Sequence, residues 1–206
     1  MLRWLASALL ALAPFAALAQ QAAPAPAEAP FAEILAACKA GAADRCTGSW
    51  RGLDYSIWHD LTSVSFVTPG SKTRWTASCE VDKIEDTISC TLLNGTEGES
   101  PYLMLLWGTE WKGASVAVSS LGADDYPGSR DALRVDKGPV HSIGEDDVFG
   151  GAAAAAIIRE LRAGTLLRLR FYDWPYNLPH DAEVPLDGMS AVLDAALAVV
   201  RANGIR

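Results

Sequence analysis

The stretch Ala152–Tyr172, AAAAAIIRELRAGTLLRLRFY, constrains the chain most, because its periodicity changes half-way along. Ala154, Ile157, Ile158 and Leu161 recur at i, i+3, i+4 and i+7, one face of a helix, with Arg159, Glu160 and Arg162 on the other side. Asp146 and Asp147 stand just upstream, where carboxylates accept from free helix N–H groups and favour the positive end of the dipole. Gly164 is expected to stop the helix in the left-handed conformation, which glycine adopts without a Cβ clash. The period then falls to two, with Leu167, Leu169 and Phe171 alternating with Arg168, Arg170 and Tyr172. A helix delivered through one tight turn into a half-buried strand needs a sheet to join.

The first residues, MLRWLASALLALAPFAALAQ, read as an export leader. Arg3 is the basic start, Leu5–Leu18 the apolar core, and Ala17-Leu18-Ala19 a small-x-small cleavage site, so 1–19 is expected to be a signal peptide. The apolar run is short for a bilayer span and contains Pro14, and no later segment is long and apolar enough to cross a membrane. Residues 20–30, QQAAPAPAEAP, form a Pro/Ala-rich linker, and 31–206 are expected to make one β-rich globular domain. The formal charge of −8 becomes −9 once Arg3 leaves with the leader, which argues against nucleic-acid binding.

Four cysteines in an exported chain predict two disulfides. Trp75, Ala77, Cys79 and Val81 alternate along one strand, and Ile88, Cys90 and Leu92 along the next. With Asp82–Thr87 as the connection, Val81 faces Ile88 and Cys79 faces Cys90 on one side of a hairpin, at bridgeable distance. Cys38 and Cys46 are left to pair across a short loop. Spacings of x7 and x10 are not those of zinc ligands.

The other segments are mostly β. Phe31, Ile34, Leu35 and Cys38 predict a short helix, and Leu35-Ala36-Ala37-Cys38 resembles a lipobox, but Glu28, Pro30 and Glu33 interrupt the apolar run that lipidation needs. Leu61–Thr68, Lys72–Val81, Thr87–Leu93, Tyr102–Trp107 and Ser115–Leu121 read as strands. Asn94-Gly95 signals a turn, and Asn94-Gly95-Thr96 is also a glycosylation sequon in a eukaryotic setting. Gly122–Asp131 reads as a loop; Ala132–Asp136 and Pro139–Ile143 read as a hairpin turning at Lys137-Gly138. After the central strand, DWPYNLPHDAE reads as a stiff aromatic loop. A final helix, capped by Asp187 and ended by Asn203-Gly204, carries Met189, Val192, Leu193, Ala196, Leu197 and Val200 on its apolar face. The expected fold class is α+β: a mainly antiparallel, sandwich-like arrangement of about eight strands, with two substantial helices packed at its edge and two disulfides.

Three patches together resemble the invasion-associated locus B family of small exported bacterial proteins. They are Trp75 ahead of the Cys79/Cys90 hairpin, the helix–glycine–strand GGAAAAAIIRELRAGTLLRLRF, and the closing PLDGMSAVLDAALAVV, and they span roughly Trp75–Val200. The chain departs from the family in one respect: a second cysteine pair commonly precedes the central helix, and here that region is SIGEDDVFGGAA. The resemblance implies a periplasmic or secreted, β-rich protein linked to envelope biology or host interaction, with an envelope or host protein as partner. It implies no enzymatic site and carries over no catalytic residues.

Two chemical readings compete with that one. His59, His141 and His180 could serve a small hydrolase or a metal-dependent enzyme if two of them met a carboxylate such as Glu145 or Asp181, but none has the i, i+4 spacing that guarantees it. Thr47-Gly48-Ser49-Trp50 lacks the second glycine of a nucleophile elbow, and Ser142 beside His141 would point to the opposite face of a strand. No catalytic residue, metal ligand or cofactor is assigned. The other reading is a binding site for a glycan, small ligand or protein at Tyr172, Trp174, Tyr176 and His180, where flat amphipathic rings could stack. Against it, Trp174 and Tyr176 could close the open end of the sandwich as core, since large aromatics are usually buried. Trp107 and Trp111, either side of Gly108, invite the same two readings, with one ring expected at the surface. Arg168 and Arg170 are expected to pair with acids on a neighbouring strand, with a basic stripe for an acidic partner as the alternative.

Overall fold

Alternation along the strands decides the architecture. The computed structural model describes residues 30–41, 43–58, 63–70, 74–94, 102–108, 113–119, 125–144 and 148–203. The leader, the linker apart from Pro30, His59, Trp111, Glu145, Asp146 and Asp147, Gly95-Thr96 and Gly204 lie outside the described residues.

A meander of antiparallel hairpins runs through β1 (Arg45–Trp50), β2 (Leu53–Trp58), β3 (Ser63–Val67), β4 (Trp75–Asp82), β5 (Thr87–Asn94), β6 (Tyr102–Gly108) and β7 (Gly113–Ser119). The chain then leaves to form β8 (Arg130–Val135) and β9 (Val140–Gly144), and returns with the two-residue β10 (Phe149–Gly150) beside β7. β11 (Leu166–Asp173) and β12 (Leu178–Pro185) complete a second sheet in the order β12-β11-β8-β9. Every pairing is antiparallel, so the fold is α+β and sheet-rich, as the alternation required. The described residues hold twelve strands rather than about eight.

The helices are α1 (Phe31–Ala40), α2 (Gly151–Ala163) and α3 (Met189–Ala202). They lie over sheet faces rather than at an edge: α3 crosses β3, β4 and β5, α2 rests on β7, and α1 packs on α3 and the start of the meander. Phe31 anchors α1 in an aromatic cluster, with ring centroids 5.1 Å from Trp50, 5.9 Å from Tyr55 and 5.1 Å from Phe66. The α2 face is the expected one, Ala154, Ile157 and Leu161 being buried with Ile158 packed beside them. The α3 face is broader than its periodicity suggested, because Ala195 and Val199 are also buried against the sheet, while Leu197 and Val200 are only partly so.

Both disulfides form as expected, Cys79–Cys90 and Cys38–Cys46. Cys79 pairs Cys90 and Val81 pairs Ile88 in register, and both buried sulfurs sit beneath α3, 4.0 and 3.8 Å from the Ala196 carbonyl oxygen.

Three local expectations are corrected. Gly164 ends α2 in an extended conformation (φ −87°, ψ 176°), not a left-handed one. Glycine is needed there because a Cβ would lie 2.2 Å from Val135 Cγ1. Asp187 does not cap α3: left-handed Gly188 (φ 81°) holds the cap position, one residue later. Asn94 is no surface acceptor, because its buried side chain receives the Leu103 N–H at 2.6 Å.

Candidate functional site

The stretch read as an aromatic loop is a hairpin. Leu178–Pro185 pairs with β11 along its whole length, so Tyr172 faces Pro179, Phe171 faces His180 and Arg170 faces Asp181. The pairing was hidden because β12 is an edge strand: no strand among the described residues pairs with its outer side, so Pro179 and Pro185 are tolerated, and its mostly exposed residues show no alternation. The turn between the strands carries Trp174, Pro175, Tyr176 and Asn177.

This turn displays its rings. Trp174 is 53 % exposed, Tyr176 76 % and Leu178 56 %, so burial as core is overturned for Trp174 and Tyr176. The Trp174 ring lies 5.8 Å from that of Tyr126, and the Tyr126 N–H donates to the Tyr172 carbonyl oxygen at 2.8 Å. Tyr172 itself is half-buried at the end of β11. Trp107, by contrast, is buried.

Beneath the turn lies a group of acids that sequence reasoning missed. The backbones of Asp125 and Asp173 pair in an isolated antiparallel bridge, and Asp131 is buried at the start of β8, 3 % exposed. Asp131 shares a hydrogen bond with Asp125, which two carboxyl groups make only when one holds a proton. Burial, the charge of Asp125 and that shared hydrogen bond push the Asp131 carboxyl up to about 7, against the lowering effect of the Tyr172 N–H. The buried Oδ1 atoms of Asp131 and Asp173 have no hydrogen-bond partner among the described residues. A signal existed: in RDALRV the alternation that buries Leu133 and Val135 also buries Asp131.

The two described histidines, His141 and His180, do not converge. His141 Nε2 meets Glu160 Oε2 at 2.9 Å, tying β9 to α2, and its ring packs edge-on to Phe149 at 6.2 Å. His180 Nε2 meets Asp173 Oδ2 at 2.8 Å, at the foot of the aromatic turn. They sit on the two edge strands of the second sheet, which are three inter-strand steps or roughly 14 Å apart, and are offset by two residues in register. Ser142 pairs with Ala132 and His141 with Leu133, so the two adjacent residues point to opposite faces as alternation required. Among the described residues no three His, Cys, Asp or Glu groups are placed to hold a metal ion.

The outer face of the second sheet carries the arginines. Arg170 makes a two-pronged pair with Asp181, both contacts 2.6 Å, and Arg168 Nε donates to Glu183 Oε1 at 2.8 Å. The hydrogen bonds from Arg170 hold the Asp181 carboxyl below the usual carboxylate range. The expected pairing across neighbouring strands is therefore present, and Arg134 on β8 extends the basic row beside it.

No protein-family model, curated protein or solved structure matches the chain. No described helix is long and apolar enough to cross a membrane.

Proposed function

We propose that this is a non-catalytic exported protein, periplasmic or secreted, that works by contacting a protein in the envelope or on a host surface. The observation that carries the reading is the β11–β12 turn, where Trp174, Tyr176 and Leu178 are all held out to solvent by one hairpin. Aromatic side chains spend little conformational entropy on contact and dominate interface energetics, so a hairpin turn that exposes them is suited to binding. The leader at 1–19 and the two disulfides support export. The likeness of Trp75–Val200 to the invasion-associated locus B family supports the same process.

A second reading, glycan binding, is favoured by the proximity of the Trp174 and Tyr126 rings, which together could hold a sugar ring by stacking. The test of both is the double variant Trp174→Ala/Tyr176→Ala. Its far-ultraviolet circular dichroism and melting should match wild type, while retention of the purified protein by an envelope or host-cell surface should fall. Retention lost to protease treatment of that surface supports a protein partner; retention lost to glycosidase treatment supports the glycan reading. Unchanged retention would remove the turn from the binding surface.

A further inference from the structure

Ala132, at the centre of the outer face of the second sheet, leaves a recess among longer side chains. An open groove of about 430 Å³ lies over it, walled by Arg134, Arg168 and Arg170 and flanked by Val140, Asp181 and Glu183. Register fixes this arrangement: Val140, Arg134 and Arg168 form one cross-strand row, and Ser142, Ala132, Arg170 and Asp181 the next.

The charges in the groove are unbalanced. Asp181 answers Arg170 and Glu183 answers Arg168, but Arg134 donates through Nε only to the Gly138 carbonyl oxygen at 3.0 Å and meets no carboxylate among the described residues. Arg134 and Arg168 stand directly opposite one another on β8 and β11, an opposition of like charges that costs stability in a sheet. Three guanidiniums and two carboxylates line the small recess, with the Asp136 carboxylate acting on Arg168 from outside the lining, in a chain whose formal charge is −8. An anion seated above Ala132 between Arg134 and Arg168 would relieve that opposition. Asp181 and Glu183 already stand beside the site and would repel a dianion more than a monoanion, so a carboxylate fits better than a phosphate. Val140, 61 % exposed, offers apolar contact at the rim for the carbon chain that bears it.

We propose that this groove is a carboxylate-binding site, and that it docks an acidic side chain of the partner protein while the Trp174–Tyr176 turn packs beside it. The proposal rests on the partner-contact reading for the source of the carboxylate, but the site itself is testable without any partner.

The test is a titration of the full mature chain, followed by arginine Nε–Hε and backbone amide NMR signals. The probes are N-acetylglutamate methylamide, its uncharged glutamine counterpart, D-glucuronate and inorganic phosphate. The expected result is saturable shifts at Arg134, Arg168 and Ala132 with the glutamate probe and none with the glutamine probe. Arg134→Gln should weaken the glutamate response roughly tenfold or more with an unchanged amide spectrum elsewhere. Tighter saturation by D-glucuronate would overturn the acidic side chain in favour of an acidic sugar. Tighter saturation by phosphate would overturn the monoanion assignment. No saturable shift with any anion, or an undiminished response in Arg134→Gln, would overturn the site. Trp174→Ala should leave this titration unchanged while reducing surface retention, so failure of the groove and failure of the turn are separate results.

Discussion

Trp75 and Pro185 join the two sheets: the Trp75 indole N–H donates to the Pro185 carbonyl oxygen at 3.0 Å, across 110 residues of chain. Trp75 opens β4 in the large sheet and is fully buried; Pro185 closes β12 in the small one. The Trp75 backbone N–H also donates to Thr68 Oγ1 at 3.1 Å, fixing the strand end from the other side.

Trp75→Phe keeps a large apolar ring and removes the donor. The Pro185 carbonyl oxygen then lacks this partner, and the smaller ring leaves a void. Together these should cost about 2–4 kcal/mol, read as a shift in urea midpoint at constant slope. A loss below about 1 kcal/mol would mean water replaces the indole freely.

Gly164→Ala sets two effects against each other. Removing a glycine stiffens the unfolded chain and would stabilise by about 0.4–1 kcal/mol where the backbone permits. Here φ is compatible, but the new methyl would meet Val135 Cγ1 at 2.2 Å, and Val135 is buried in the core. Overpacking costs about 1–3 kcal/mol, so the variant should melt below wild type.

The two disulfides close loops of similar length, with sequence separations of 8 and 11, so chain entropy hardly distinguishes them. Burial does: Cys79 and Cys90 are both buried beneath α3, whereas Cys46 is only partly covered. Replacing Cys79 and Cys90 together by Ala should cost roughly 2–5 kcal/mol. The same replacement at Cys38 and Cys46 should cost less, and equal losses by chemical denaturation would show that burial under α3 adds nothing.

Stability should fall as pH rises from about 4 towards 7. Asp131, raised from 3.8 to about 7, keeps its proton in the folded state while the unfolded chain gives it up, so the unfolded state binds fewer protons across that window. The slope from one such group is at most about 1.4 kcal/mol per pH unit. Asp136 and Asp181 act the other way. Both are held below 3.8, by Thr165 and by Arg170 respectively, so their contribution is present above that value and is lost as pH falls through their folded values. Asp131→Asn should flatten the descent between pH 4 and 7 in urea titrations, and an undiminished slope in the variant would assign it to other groups.

The sequence was most readable where one face is buried and the other wet. Leu167, Leu169 and Phe171, the Cys79/Cys90 register and the α2 face all follow from period alone, because a one-residue slip would expose the whole apolar set. Legibility failed at β12, an edge strand with no buried face to impose alternation on Leu178–Glu183. It also failed at β1, where Gly48 interrupts the pattern to admit the Tyr55 ring, whose hydroxyl would lie 2.4 Å from a Cβ at that position. The acids under the turn come from three separate segments, Asp125, Asp131 and Asp173, and only the fold brings them together. Exposure of Trp174 and Tyr176 was undecidable from composition, because a large ring suits a core and a contact surface equally well.

The four cysteines pair consecutively, Cys38 with Cys46 and Cys79 with Cys90. Four thiols allow three connectivities, and this is the one reached when a new thiol is oxidised with the preceding thiol that is still free. Vectorial synthesis and oxidation therefore lead to the same bonding pattern. This connectivity can be reached by oxidation alone, with no exchange of partners.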